Sequence, residues 1–269
     1  MSEKVTISDR IISDYDYIAK TEEREVLGVF LQGSQNYGLD YEGSDIDTKC
    51  IILPAFEDFC LNKKPLSKTV VLESGEHIDV KDIRLMFDCI KKQNINFVEI
   101  LFTKYKYINP KYKDLCEQLF ISAEPIARYC ECAAINCMYG MSWEKCRIIF
   151  DEKTLSNISK QLYHIVRLNE FMRRYINGEE YKDCLISNKR DLLVKIKMGC
   201  YTPSEVQDIA IKTLNDTIKM KDEFLNTHYM HKDRGAEDLL DSTTIRVIRR
   251  SFDSDFNSTM NCLLRREVK

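Results

Sequence analysis

The chain has 269 residues, 44% of them hydrophobic and 31% charged, with 40 Lys and Arg against 43 Asp and Glu for a net charge of −3. That length and apolar content suit one large domain or two modest ones with a real core. No apolar run approaches the roughly 18 residues of a membrane span, so no membrane partner is expected, and the small net charge decides nothing about nucleic acid.

The 11 cysteines are odd in number and sit inside periodic apolar segments. The opening Met1-Ser2-Glu3-Lys4 lacks the apolar core of a signal peptide. The expectation is reduced core cysteines in a cytoplasmic protein, with no disulfide framework. Cys130, Cys132 and Cys137 are close together, but their spacing does not fit a zinc site and no histidine is near. Charge is uneven. Residues 81–113 carry eight Lys or Arg against three acids, and residues 245–269 six against three. Such runs are first read as solvated faces.

In chain order, residues 2–24 place Ile11, Ile12, Tyr15 and Ile18 at helical spacing, with Ser8 as the expected cap. Residues 26–31 read as a buried strand. A glycine-bearing turn, Gly33-Ser34-Gln35-Asn36-Tyr37-Gly38, leads to a second strand expected over 45–53. In a strand, residues two apart share a face, so Asp45 and Asp47 would point the same way. Residues 69–72 and 77–80 flank Glu73-Ser74-Gly75-Glu76 as a hairpin, which brings Asp79 in from a neighbouring strand, with His77 on its face. A helix to about Lys92 and a short apolar piece over 97–102 follow. Lys104-Tyr105-Lys106-Tyr107 reads first as an exposed edge strand and second as a stacking surface for nucleic acid. Asn109-Pro110 looks like a boundary. Beyond it, apolar residues recur at helical spacing from Ala123 to Cys137, Leu155 to Met172 and Val206 to Phe224. Asn177-Gly178 and Met198-Gly199 read as helix stops, and Thr202-Pro203 as a cap and N1 proline. The last residues, from His231, are polar and expected to be partly irregular, with a helix near 243–250. The fold class is therefore α+β: an N-terminal mixed β-sheet with flanking helices over 1–110, then a C-terminal helical bundle over 111–269.

The chemistry concentrates between Gly33 and Asp79. Phosphoryl transfer needs positioning and charge neutralisation more than covalent help. Two carboxylates on one strand and a third beside them suit two Mg²⁺ ions, or Mn²⁺ in their place, which clamp the attacking and leaving oxygens. Gly33 and Ser34 let backbone amides and a hydroxyl approach phosphates, and a following helix N-terminus would add its dipole. Gly-Ser, then Asp-x-Asp, then a distant Asp resembles the signature of the DNA polymerase β-type nucleotidyltransferase superfamily. The runs from Gly33, Gly43, His77, Asn96, Gln161 and Asp191 are similar to the predicted nucleotidyltransferases associated with RNA repair ligases. The resemblance spans about residues 26–225, with strong motifs in the first half and looser ones in the second. Lys49 stands where that group often carries Arg, which keeps the charge but not a bidentate fork.

The resemblance implies a catalytic domain and a helical domain that border one cleft. It implies Asp45, Asp47 and Asp79 as catalytic and metal-binding residues, and Gly33, Ser34, Ser44 and Lys49 as nucleotide-binding ones. Lys160, His164 and Arg167 lie at i, i+4 and i+7 of one helix face. They are either a solvated edge with a packed histidine or further nucleotide ligands. The activity implied is transfer of a nucleoside monophosphate from an NTP to a hydroxyl with release of pyrophosphate. An RNA or tRNA end is the first acceptor, a protein hydroxyl (AMP transfer of the antitoxin kind) the second, and a small molecule the third. The rivals are a non-catalytic nucleotide or RNA sensor and a regulator that works through its helical half. The pattern implies no particular oligomeric state.

Overall fold

A computed structural model describes residues 6–22, 24–41, 44–151 and 157–267, with side chains described through 253. Gly43 of the second motif and Leu155 of the second helical repeat lie outside the described residues.

Helix α1 (Ile7–Thr21) starts at Thr6, whose hydroxyl accepts the Asp9 amide. The expected cap, Ser8, instead lies in the first turn, because Thr6 is extended and also donates to the Asp9 carboxylate at 2.6 Å. Strand β1 (Val26–Leu31) is buried throughout. A 3₁₀ turn (Gly33–Tyr37) follows, then β2 (Thr48–Ile52) and α2 (Phe56–Cys60). The hairpin forms as β3 (Ser67–Val71) and β4 (His77–Asp82). Next come α3 (Ile83–Lys91), α4 (Ile95–Val98) with a 3₁₀ turn (Glu99–Leu101), β5 (Lys106–Ile108) and a 3₁₀ turn (Pro110–Tyr112).

The sheet order is β3-β4-β2-β1-β5. β2 runs parallel to β4 and every other pairing is antiparallel, so the sheet is mixed. The second strand begins at Thr48, not at Asp45 as expected. Its ladder with β1 ends at the pair Leu31↔Thr48, because β1 itself stops there and the chain turns away at Gly33, φ +80°. Asp45 and Asp47 therefore sit on the loop that enters β2. On one face, Val29, Leu31, Cys50, Ile52, Ile78 and Val80 pack under Ile11 and Ile18 of α1. Side chains buried like Ile18 and Leu31, 0% exposed, each contribute about 1.5–3 kcal/mol. On the other face, Leu27, Phe30 and Ile51 join a cluster that runs through α3 and the helices beyond, as far as Val247.

The helical half is α5 (Lys113–Ile121), α6 (Ala123–Ala127), α7 (Glu131–Ile149), α8 (Ile158–Ile176), α9 (Tyr181–Leu185), α10 (Arg190–Lys197), α11 (Pro203–Thr227) and α12 (Arg234–Glu267). Helices α7, α8 and α11 pack on one another and α10 packs on α8. The run from Ala123 to Cys137 is two helices, because Cys130 is extended (φ −150°) between them. Thr202 and Pro203 open α11 as expected, with Glu205 completing a capping box. Residues 231–233 are irregular, as expected, but the helix is far longer than the one expected over 243–250. It docks Ala236, Leu240, Thr243, Val247 and Ser251 as a buried stripe. Two of those five are polar, which hides the stripe from a hydrophobicity reading. Among the described residues no helix is long and apolar enough to cross a membrane, and the described cysteines are free thiols.

Candidate active site

Three stretches converge on one cleft between the sheet and the helical half. The first is the turn after β1. Gly33 needs its left-handed backbone (φ +80°) to start it. Asn36 fastens it, donating to the Leu31 carbonyl at 2.7 Å and accepting the Thr103 hydroxyl at 2.8 Å. Gly33 and Ser34 face the cleft. The element that follows is a five-residue 3₁₀ turn, so the expected α-helix dipole is replaced by the amides of a single turn.

The second stretch is the loop into β2. The Gln32 amide donates to the Asp47 carbonyl at 3.0 Å and its side chain to the Thr48 carbonyl at 3.2 Å. That lashes the carboxylate loop to the glycine turn. Asp45 and Asp47 both line the cleft. One Asp47 oxygen, Oδ1, is buried and accepts no hydrogen bond, and His77 Nδ1 lies 3.4 Å from it. Ser44 is not part of the cleft lining: its hydroxyl accepts the Tyr41 amide at 2.9 Å and so holds the turn.

The third stretch is β4, where His77, Asp79 and Lys81 alternate with buried Ile78, Val80 and Asp82. Parallel pairing sets Asp79 opposite Lys49. Lys49 is 2% exposed. Its ammonium lies over the Phe97 ring, 4.4 Å from the centroid, and 2.8 Å from Asp79 Oδ2. Lys81 takes the other oxygen, Oδ1, at 2.7 Å. Burial pushes the Asp79 carboxyl up, but the two lysines outweigh it and hold the group below its usual range.

Helix α8 forms the opposite wall with Lys160, His164 and Arg167. The i, i+4, i+7 face thus meets the carboxylates. His164 is pushed down to about 3 by burial first, then by Arg167, Lys145, Lys160 and Lys197, so it stands as a neutral imidazole. Arg167 is 4% exposed and stacks 3.9 Å from the Tyr37 ring centroid. Its Nε and Nη1 have no hydrogen-bond partner. Beside it Glu99, 2% exposed, accepts the Tyr37 hydroxyl. Burial pushes Glu99 up to about 7, against the opposing pull of the Tyr37 hydroxyl, Arg167 and Lys49.

Lys197 and Tyr163 also line the cleft, and sequence reasoning assigned them no role. Lys197 ends α10 with its ammonium 4.7 Å from the Tyr41 ring centroid. Its signal was the Asp191-to-Gly199 run, which carried the resemblance without saying which lysine turned inward. Glu99 was likewise inside the Asn96-to-Phe102 run. Arg190 secures the wall, donating to the Gly38 and Asp40 carbonyls at 3.1 and 2.8 Å. The basic-aromatic stretch lies elsewhere, on edge strand β5. There Lys106 donates to the Thr103 carbonyl at 2.9 Å and Tyr107 packs edge-on against Tyr15, which leaves Lys104 and Tyr105 exposed.

The cleft holds ≈ 300 Å³, at the small end of ligand-sized pockets. It sets carboxylates on the sheet side against cations on the helical side. Asp45 and Asp47 both offer carboxylates to the cleft, and carboxylate oxygens are the ligand type a divalent cation such as Mg²⁺ takes. Among the described residues no group of three or more His, Cys, Asp or Glu is gathered to cage an ion unaided. Mg²⁺ is ordinarily held by one or two carboxylates together with substrate phosphates, and the two carboxylates present are within that number.

No family model matches the chain, and no curated protein matches it in sequence. Among solved structures it is similar to a nucleotidyltransferase-like protein from Exiguobacterium sibiricum 255-15, at 11% identity and a TM-score of 0.31, over 80% of this chain and 76% of that one.

Proposed function

We propose that the cleft transfers a nucleoside monophosphate from an NTP to a hydroxyl acceptor and releases pyrophosphate. The observation that carries this reading is the convergence of Gly33-Ser34, Asp45, Asp47 and Asp79 with Lys160, Arg167 and Lys197 around one cavity. Asp45 and Asp47 would hold Mg²⁺, or Mn²⁺, which neutralises charge at the phosphoryl oxygens. The Gly33-Ser34 amides and hydroxyl take the outer phosphates. Lys160 and Lys197 face the same anion, and Arg167, which lines the same cavity, donates to oxygens of the nucleotide. In the reaction the acceptor oxygen bonds to the α-phosphorus while the bond to the bridging oxygen breaks. Pyrophosphate leaves with that electron pair. Asp79 is held ionised, so it orients the acceptor hydroxyl, and the proton passes on to water. For Asp79 to bind an ion of its own, Lys49 and Lys81 must release it, and the incoming phosphates offer them a replacement.

The preferred acceptor is an RNA or tRNA end, with a protein hydroxyl as the alternative. A second reading, a nucleotide sensor without transfer, draws on the two lysines that already occupy both oxygens of Asp79. The separating experiment incubates the protein with Mg²⁺ and each NTP labelled at the α-phosphate, with cellular RNA and cellular protein as acceptor pools. Label in RNA supports the preferred reading and label in protein supports the alternative. Bound NTP with no labelled acceptor and no pyrophosphate establishes the sensor.

A further inference from the structure

Asp47 is held from three directions without any hydrogen bond to its Oδ1. Its carbonyl accepts the Gln32 amide. The residue before it, Ile46, donates its amide to Glu76 Oε1 at 3.3 Å. The residue after it, Thr48, donates its hydroxyl to Asp14 Oδ2 at 2.6 Å. Glu76 comes from the β3–β4 turn and Asp14 from α1, so these two carboxylates approach from different elements. Both are bound by one side chain. Arg10 Nε donates to Asp14 Oδ1 at 2.7 Å, and Arg10 Nη1 donates to Glu76 Oε2. Ser74 supports Glu76 from within the turn at 2.9 Å.

We propose that Arg10 is a positioning residue for Asp47: its guanidinium bridges the two carboxylates that pin the residues on either side. The role rests on the transfer reading for its purpose but not for its geometry. The burial argues for it. Arg10 is 5% exposed, Asp14 2% and Thr48 0%, on the face where α1 meets the sheet. Apolar residues alone would hold that contact, as Ile11 and Ile18 do beside it. Buried ion pairs of this kind are often neutral or costly next to an apolar replacement. What the network adds is direction. Arginine spans two carboxylates at fixed angles, which lysine cannot do. The Asp47 backbone is therefore fixed from its two neighbours, while Asp47 itself lines the cleft with His77 beside its Oδ1.

The test uses the full chain and four variants: Arg10→Lys, Glu76→Gln, Asp14→Asn, and the apolar pair Arg10→Met with Asp14→Leu, which removes the buried Arg10–Asp14 pair together and leaves only the part-exposed Glu76 without its cation. Two readouts are taken beside thermal stability: the exchange rate of the Ile46 amide by NMR, and Mn²⁺ binding by paramagnetic resonance with a non-hydrolysable NTP analogue present. The expected result is Ile46 exchange about tenfold faster in Arg10→Lys and in the apolar pair, the scale of one lost hydrogen bond, with amides of α8 and α11 unchanged. Mn²⁺ affinity falls in the same variants. The proposal is overturned if Ile46 exchange stays at the wild-type rate in both variants, or if it changes only in step with global stability. If wild-type protein binds no Mn²⁺, the transfer reading fails, and the Ile46 exchange still decides the role of Arg10.

Discussion

Glu99 carries the clearest pH signature of the cleft. It is buried and pushed up to about 7, burial being the largest cause, whereas in the unfolded chain it titrates near the usual ~4.3. A raised carboxyl favours the folded state fully below the unfolded value, and that contribution is lost as pH rises through about 7. Glu99→Gln keeps an acceptor for the Tyr37 hydroxyl and removes the titration. Urea denaturation should show the variant gaining stability over wild type as pH rises from about 4 to 7, by an amount on the order of a few kcal/mol; an unchanged pH slope would contradict the burial argument. Gly33 is a second case decided by magnitude. A Cβ there would meet Asp47 Oδ2 at 3.7 Å, an ordinary contact, but the φ of +80° remains. Gly33→Ala is therefore expected to cost about 1–2 kcal/mol from the backbone alone, with weaker NTP binding by calorimetry. At this scale the acidic and glycine residues of the site were legible, because their types and order are unusual together. Ser44 was not: the same hydroxyl that fits a phosphate also fits the Tyr41 amide. Lys197 was not either, since two lysines near the end of α10 look alike until the helix is docked.

At the scale of elements, β1 and the hairpin were legible because runs of β-formers meet clear punctuation at Gly33 and Gly75. The start of β2 was not. Alternation continues through Asp45 and Asp47, and only the missing ladder partner on β1 ends the strand at Thr48. The break at Cys130 was equally hidden, since neither Gly nor Pro marks it. Convergence of Asp45 and Asp47 survives the loss of the strand because Gln32, Glu76 and Asp14 hold the loop. Helix α10 makes a matching contribution on the far wall, where Arg190 grips the loop carbonyls at Gly38 and Asp40. Arg190→Ala should weaken NTP binding by roughly fivefold, the scale of one ordinary hydrogen bond, and leave the melting temperature near wild type. A variant that binds NTP as tightly as wild type would mean the two walls need no such tie.

Across the whole molecule, α12 returns to the first half. Lys91 pairs with Asp241 and Phe252 packs edge-on against Phe56 and Phe59, while Arg250 pairs with Asp114 of α5 within the helical half. The exposed pairs contribute little; Leu240 and Val247, 0% exposed, contribute most. Val247→Asp, which buries an unpaired charge, should destabilise the whole chain by about 3 kcal/mol or more, read as one cooperative shift in denaturation. A separate early transition confined to the C-terminal helix would show instead that α12 is an appendage. The helical bundle was legible in outline, whereas this return was masked by Thr243 and Ser251 in its buried stripe. The two halves share one cleft, and the proposed transfer there depends most sharply on Asp47. The direct measurement is pyrophosphate release and transfer of α-phosphate label by wild type and Asp47→Asn, with Mg²⁺, NTP and the RNA pool. Wild type is expected to transfer the label, and the variant to lose about 100-fold or more, the scale of removing one charge-stabilising group. Transfer by Asp47→Asn at the wild-type rate would contradict that dependence.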